Sequence, residues 1–234
     1  MSQVHLITFS DRMNMKKKFG LAIGIACLAA SMGAQADTSG SGNLRVIGTI
    51  KPAACTVGLG ASGGTVDYDT INASSIPPSS FLPLQEKTLP LTVNCGTAAA
   101  QMALSVTDSQ ATSTVAGILG TGFPESQNFG LGMVGTNRTG GYSVRLSSLT
   151  SAGTALYPLK RTSSAGAWMY SSDGRVDKHP YQHSWSRNTS PTPAMVTSVT
   201  GTLVVRAVIN RGSALDLSKD IPLNGLATLV VTRI

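Results

Sequence analysis

Charged residues are scarce in this sequence: Asp, Glu, Lys and Arg together make up 12% of its 234 residues. The one dense basic group, at residues 16–18, stands near the start, so little positive surface is left for a nucleic acid. No apolar run reaches the roughly 20 residues that a membrane-spanning helix needs. No segment after residue 36 keeps a helical period over three turns. These absences argue against a nucleic-acid-binding protein and against a helical membrane protein.

Recognisable catalytic patterns are missing as well. Ser, His and Asp residues occur, but none of them stands in a nucleophile elbow or a metalloprotease motif. His179 and His183 have a spacing that brings two metal ligands together only on a helix, and Pro180 lies between them. We therefore interpret both as exposed loop histidines. The sequence predicts a protein that is not an enzyme and that has no cofactor and no metal site.

The first 36 residues have the organisation of a secretory signal peptide. The lysines at 16–18 are followed by a short apolar run, 19–28, and then by small residues ending in Ala34-Gln35-Ala36. A positive start, an apolar middle and an A-x-A end predict export, with cleavage after Ala36. Met15 stands directly before the lysines, so we interpret residues 1–14 as an over-long start. Membrane contact is expected only through this signal peptide.

Cysteine is rare, with three residues in the chain. Cys27 lies inside the signal peptide and leaves with it. It could instead be the lipidated residue of a lipoprotein, but Gly24 stands where that signal has Leu. Cys55 and Cys95 remain as an even pair in an oxidising compartment, which predicts a disulfide. By chain entropy, closing a loop of this length stabilises the fold by roughly 4 kcal/mol.

The rest of the chain is predicted to be all-β, because short alternating segments are separated by Gly- and Pro-rich turns. Leu44, Val46 and Ile50 begin this pattern, and Pro52 ends it. Residues 58–64 match G-x-G-x-x-G, but a dinucleotide loop needs a following helix, whereas residues 65–71 alternate like a strand. We interpret the match as a turn between strands. Further strands are predicted at 88–95, 101–107, 129–134, 142–149, 155–161, 197–209 and 225–234. Gly201 is predicted to mark a bulge in the strand at 197–209.

With these strands placed, the chain resembles pilin subunits of the chaperone–usher pathway, most closely the proteobacterial β-fimbrial subunits. The resemblance covers roughly residues 42–234, and three motifs carry it. They are Gly48-Thr49-Ile50 followed by Ala53-Ala54-Cys55-Thr56-Val57, then Val93-Asn94-Cys95 at a strand end, and the terminal Ala227-Thr228-Leu229-Val230-Val231-Thr232-Arg233-Ile234.

This resemblance implies an immunoglobulin-like β-sandwich at 48–234 that lacks one strand, behind a donor-strand extension at 37–47. A periplasmic chaperone fills the resulting groove, and another pilin subunit later replaces it as an outer-membrane usher exports the fibre to the cell surface. In the donor, Leu44 and Val46 fill pockets and Gly42 sits where no large side chain fits. Leu229 and Val231 line the groove.

At the chain end, the resemblance implies that the chaperone contacts the Ile234 carboxylate. The sequence departs from the family pattern at Arg233, where pilins usually carry an aromatic residue.

Two alternatives accompany the expectation of a structural fimbrial subunit. Leu44 and Val46 could instead form the first strand of an ordinary closed sandwich. Residues 162–194 have no clear pattern and hold both tryptophans, Trp168 and Trp185, which could serve as sugar-binding platforms. The second function class is therefore a fimbrial-like adhesin on the same fold that binds host or environmental ligands through residues 162–194.

Overall fold

A computed structural model describes residues 45–48 and 54–234 of the chain. The chain divides into two units, Met1–Thr49 and Ile50–Ile234. In the first unit, the four described residues have no regular secondary structure and are exposed. In the part of the chain that is described, no helix is long and apolar enough to span a membrane.

The second unit is built from short and medium strands, with brief 3₁₀ helices at Ala73–Ser75, Ala111–Ser113, Glu125–Gln127 and Gly212–Ala214. In chain order the strands are β1 (Thr56–Gly58), β2 (Leu82–Pro83), β3 (Lys87–Asn94), β4 (Met102–Asp108), β5 (Phe129–Gly130), β6 (Met133–Val134), β7 (Asn137–Arg138), β8 (Gly140–Ser151), β9 (Thr154–Ala155), β10 (Tyr157–Arg161), β11 (Met169–Tyr170), β12 (Gln182–Ser186), β13 (Ser198–Ile209) and β14 (Ala227–Arg233).

Two antiparallel sheets make up the domain. The larger sheet has the order β1-β3-β13-β8-β5, with β2 paired to β13 and β9 paired to β8. The smaller sheet has the order β11-β10-β12-β4-β14, and β6 and β7 form a separate hairpin. One hydrophobic cluster draws side chains from both sheets, so the core lies between them. The predicted all-β sandwich is therefore confirmed.

Strand β3 shows how the sequence produces this arrangement. Leu89, Leu91 and Val93 alternate with exposed residues and are buried, as a strand with one core face requires. Pro90 is tolerated inside β3 because it has a paired strand on one side only. It pairs with β13, but β1 on the other side of β3 ends opposite Thr92. The predicted disulfide between Cys55 and Cys95 is confirmed, with its Cα atoms 4.1 Å apart, and it joins the start of β1 to the end of β3.

Strand β13 is the long central strand that its sequence predicts. The pairing between β13 and β8 shifts between Thr200 and Thr202, as the predicted bulge at Gly201 requires. A Cβ at Gly201 would lie 2.7 Å from Leu149 Cδ2, so a larger residue does not fit there without a shift of its neighbour.

Some predicted strands are wrong. Residues 65–71 alternate but form no strand, and Asp69 has a φ of 56°. Asp67 accepts the Asp69 N–H through its side chain, a local bond that competes with strand pairing. The single strand predicted at 129–134 divides into β5 and β6, because Gly132 adopts a φ of 90° between them. The turn predicted within 58–64 is present, since Gly63 N–H donates to Gly60 O.

Candidate functional site: an open groove beside the terminal strand

Strand β14 lies at the edge of the smaller sheet. It pairs with β4 along its whole length, from Ala227 opposite Asp108 to Arg233 opposite Met102. Among the described residues no strand pairs with its other edge. An unpaired strand edge is a template for another strand, and proteins usually cover it or blunt it.

The hydrogen bonds of β14 show which of its backbone groups are open. Ser109 N–H donates to Leu226 O over 2.9 Å, and Ile234 N–H donates to Gln101 O over 3.0 Å. In an antiparallel pair, alternate residues direct both backbone groups toward the partner strand. The even-numbered residues of β14 therefore face β4. The open edge carries the N–H and C=O groups of Ala227, Leu229, Val231 and Arg233.

The same odd-numbered residues turn their side chains inward. Burial along β14 alternates strictly, with Leu229 and Val231 half-buried and Val230 exposed on the opposite face. Leu229 and Val231 pack against the core cluster but stay partly open to solvent. Three residues, Ala227, Leu229 and Val231, thus belong both to the open backbone edge and to the apolar face of β14.

A groove with a volume of about 1810 Å³ opens beside this strand. Its volume is larger than the roughly 300–1,000 Å³ of ordinary small-molecule sites. The groove reaches the interior of the sandwich, and apolar side chains of both sheets form its floor, among them Leu104, Val106, Tyr142, Leu203, Val205 and Ile209. Leu229 lines the groove, whereas Val231 lies on the same face of β14 beyond its lining.

The opposite bank of the groove is the extended segment 65–71. Val66, Tyr68 and Ile71 are half-buried and pack against the core. The Tyr68 hydroxyl donates to Val205 O over 3.0 Å and accepts Ala207 N–H over 3.2 Å, which fixes the segment to β13. Burial raises the pKa of Tyr68, so the hydroxyl stays protonated and keeps both bonds. Sequence reasoning missed this bank; its only signal was the spacing of these three residues.

The floor of the groove contains few polar groups, whereas the exposed part of its lining includes the charged residues Asp67, Asp69, Lys219 and Asp220. Burial raises the pKa of Tyr142 well above its usual value, and the Asp108 carboxylate adds to this effect. Thr139 Oγ1 is buried and has no hydrogen-bond partner among the described residues. Neither side chain brings a charge into the groove, and the described residues contain no group of three or more His, Cys, Asp or Glu residues able to hold a metal ion. The site is suited to an apolar chain segment.

The last two residues of the chain, Arg233 and Ile234, lie at the end of β14. Arg233 takes the inward position, and its Nη2 donates to Ala98 O over 3.3 Å. Ile234 is 46% exposed. Their predicted contact with a chaperone involves a second molecule and stays a prediction.

The predicted donor segment is described only in part. Val46 is 87% exposed and Ile47 is 76% exposed. Gly42 and Leu44 lie outside the described residues, as do Ala34 and Ala36 of the predicted cleavage site.

Residues 162–194 contribute to the fold more than their sequence indicated. Trp185 is fully buried in the core on β12 and cannot act as a sugar platform. Trp168 is half-buried, with the Arg161 guanidinium 4.3 Å from its ring centroid. His183 is also buried on β12, so its interpretation as an exposed loop residue is wrong, whereas His179 is exposed.

Residues 44–142 match a protein family described as "Protein of unknown function (DUF1120)". The matched part includes the disulfide and the 65–71 bank of the groove, and it ends before β14. No curated protein matches the chain.

Proposed function

We propose that this chain is a structural subunit of a surface fimbria, assembled by donor-strand exchange through a periplasmic chaperone and an outer-membrane usher. One observation carries the proposal: the open edge of β14 lies beside an apolar groove, and Ala227 and Leu229 belong to both. A groove of this kind needs an occupant, because exposed apolar surface and unpaired strand edges promote aggregation. An incoming strand satisfies both requirements at once.

The expected contact has a defined chemistry. The backbone of Ala227, Leu229, Val231 and Arg233 offers N–H and C=O groups for the incoming strand, by the alternation of the β14 pairing. Alternate side chains of that strand enter the groove, and each buried aliphatic side chain contributes roughly 1.5–3 kcal/mol. Main-chain bonds thereby supply affinity for any extended chain, and the side chains select which chain is bound.

In this proposal the donor is residues 37–47 of another pilin subunit, identical or related. Leu44 and Val46 are two residues apart, so an extended chain directs both to one side. The exposure of Val46 fits a side chain that awaits a partner. The chaperone occupies the same groove before assembly, and it contacts Arg233 and Ile234 at the end of β14.

Fibre formation tests the proposal directly. The gene for this chain is co-expressed with its neighbouring genes, and the cell surface is imaged by electron microscopy with an antibody against residues 54–234. We expect fibres that carry the antibody label along their whole length. A soluble, cooperatively folded monomer that forms no fibres, with residues 38–47 folded into its own groove, would be a closed sandwich and would refute the proposal.

A second candidate function is an adhesin on the same fold, and one observation favours it. Tyr157 and Tyr170 contact edge-to-face with ring centroids 6.3 Å apart, and Met169 beside them is also exposed. These residues lie on β10 and β11, at the edge of the smaller sheet away from β14. Antibody labelling separates the two functions, since a structural subunit labels the whole fibre and a tip adhesin labels one end.

A further inference from the structure

A second cleft opens on the outer face of the larger sheet. Val144 and Val205 are paired directly and line the open groove between the sheets. Successive strand residues point to opposite faces, so the next pair, Arg145 and Val204, points away from that groove. The outer cleft has a volume of about 430 Å³, the size of an ordinary small-ligand site. The cleft and the groove therefore lie on opposite faces of the sheet, and Val144 is the one residue that lines both of them.

Three arginines converge on this cleft. Arg145 lies on β8 and is paired with Val204 on β13. Arg206 lies two residues after Val204, and Arg175 forms a β-bridge with Arg145. Like charges opposite each other in a sheet are destabilising. In a sequence so poor in charge, this concentration calls for counter-charges or for an anionic ligand.

The counter-charges present are incomplete. Glu86 Oε2 lies 3.6 Å from Arg145 Nη2, and Asp173 Oδ2 lies 3.4 Å from Arg175 Nε. Within the described part of the chain, neither pair forms a hydrogen bond between guanidinium and carboxylate, and Arg206 has no ion pair or hydrogen bond from its side chain. Two carboxylates thus face three guanidinium groups whose N–H donors are largely available.

The cleft is also held in shape. The Arg175 guanidinium stacks 3.7 Å from the Phe123 ring centroid, and its Nη1 donates to Gly122 O over 2.7 Å. The Arg175 and Arg145 side chains keep 30% and 40% of their surface exposed, so a ligand can reach them. A guanidinium fixed in this way loses little conformational freedom when it binds an anion.

We propose that this cleft binds an acidic sugar unit of a polysaccharide through its carboxylate or sulfate group. The guanidinium groups of Arg145, Arg175 and Arg206 provide planar, bidentate donors for such an oxyanion. A sugar also carries hydroxyl groups, and the cleft offers acceptors for them in Glu86 and Asp173. The side chains of Ser143 and Ser172 add further hydrogen-bonding groups. The combination of donors and acceptors favours a hydroxylated anion over a bare inorganic one.

Binding is measured with the purified mature protein at about 0.15 M salt, where long-range attraction between exposed charges is largely screened. The probes are polygalacturonate, which carries carboxylates, heparin, which carries sulfates, and neutral dextran. We expect binding to at least one acidic polymer and none to dextran, and the two acidic arms identify the preferred group. A wild-type protein that binds neither acidic polymer, or that binds dextran equally, overturns the proposal.

Variants then locate the site. Arg206→Gln and Arg145→Gln are each expected to weaken binding about tenfold, the loss of one charge-assisted bidentate contact. Arg187→Gln removes the same charge at an exposed position away from the cleft and should change affinity less than about twofold. Arg206→Lys retains the charge without the planar fork and should lose several-fold in affinity. Equal losses in Arg187→Gln and Arg206→Gln, or full binding by Arg206→Lys, would indicate unspecific charge attraction and refute the site.

Discussion

His183 is an ionisable side chain in the core of the sandwich. It is 1% exposed, and its Nε2 lies 3.0 Å from the Asp177 backbone nitrogen. The neutral ring can accept that N–H, and burial lowers the pKa of His183 below 6.5 even though the nearby Asp177 opposes the shift. The Lys160 ammonium, which pairs with Asp177 over 3.3 Å, adds to the lowering. The fold is therefore built around an uncharged histidine.

This histidine makes stability depend on pH. Below about pH 6.5 the unfolded chain binds a proton at His183 that the folded chain does not bind, so the free energy of unfolding falls as the pH drops toward the folded pKa. The slope is at most about 1.4 kcal/mol per pH unit. Denaturant titrations between pH 7 and pH 5 measure it. His183→Gln should flatten this part of the profile, whereas His179→Gln, at an exposed position, should not; identical profiles for both variants would contradict the prediction.

Tyr68 offers a second test at the scale of a residue. Its hydroxyl bonds both Val205 O and Ala207 N–H on the central strand. Tyr68→Phe should lower the free energy of unfolding by roughly 1–3 kcal/mol, because the bonds to both backbone groups are lost. Tyr157→Phe, at an exposed ring, is the matched control and should change it by less than about 0.5 kcal/mol. Equal effects would show that the Tyr68 bonds do not stabilise this bank of the groove.

Among the elements, β14 has two faces with different consequences. Leu229 faces the groove and Val230 faces outward on the same strand. Leu229→Asp places a charge in an apolar groove and should abolish uptake of an incoming strand, whereas Val230→Asp should leave uptake nearly unchanged. A synthetic peptide of residues 37–48, titrated into the purified chaperone-bound protein, measures uptake by displacement of the chaperone. Loss of uptake in both variants would mean that β14 is sensitive to any charge and that its face is not the determinant.

How far the sequence predicts these elements depends on their partners. Strands such as β3 and β13 have one core face, and their alternation was sufficient to place them. Residues 65–71 alternate just as clearly but form no strand, because the Asp67 side chain accepts the Asp69 N–H and Asp69 adopts a φ of 56°. Strand β12 was missed because it buries His183 and Ser184, whose polarity hides a core strand. The open groove depends on where β14 and segment 65–71 meet in three dimensions, which no local pattern contains.

The whole molecule has two surfaces on opposite faces of one sheet. The inner face of the larger sheet contributes to the floor of the groove, while its outer face carries the three arginines of the cleft. A strand from another subunit that fills the groove would therefore not cover the outer cleft. Weak binding of one sugar unit per subunit would then be multiplied along the fibre. The proposed assembly and the proposed ligand are compatible and can each fail separately.

Assembly itself gives the decisive prediction at this scale. Replacing both Leu44 and Val46 by Asp removes two apolar side chains from the proposed donor strand and carries charge into the groove of the next subunit. If the segment inserts into the groove of another subunit, the variant should fold and be captured by its chaperone at normal yield but form no fibres. Arg45→Asp, on the opposite face of the same segment, is the matched control and should assemble. If Leu44 and Val46 instead form the first strand of a closed sandwich, the double variant should unfold and its periplasmic yield should collapse. Purification from periplasm followed by electron microscopy separates these outcomes, and fibres of normal length from the double variant would refute both interpretations of the segment.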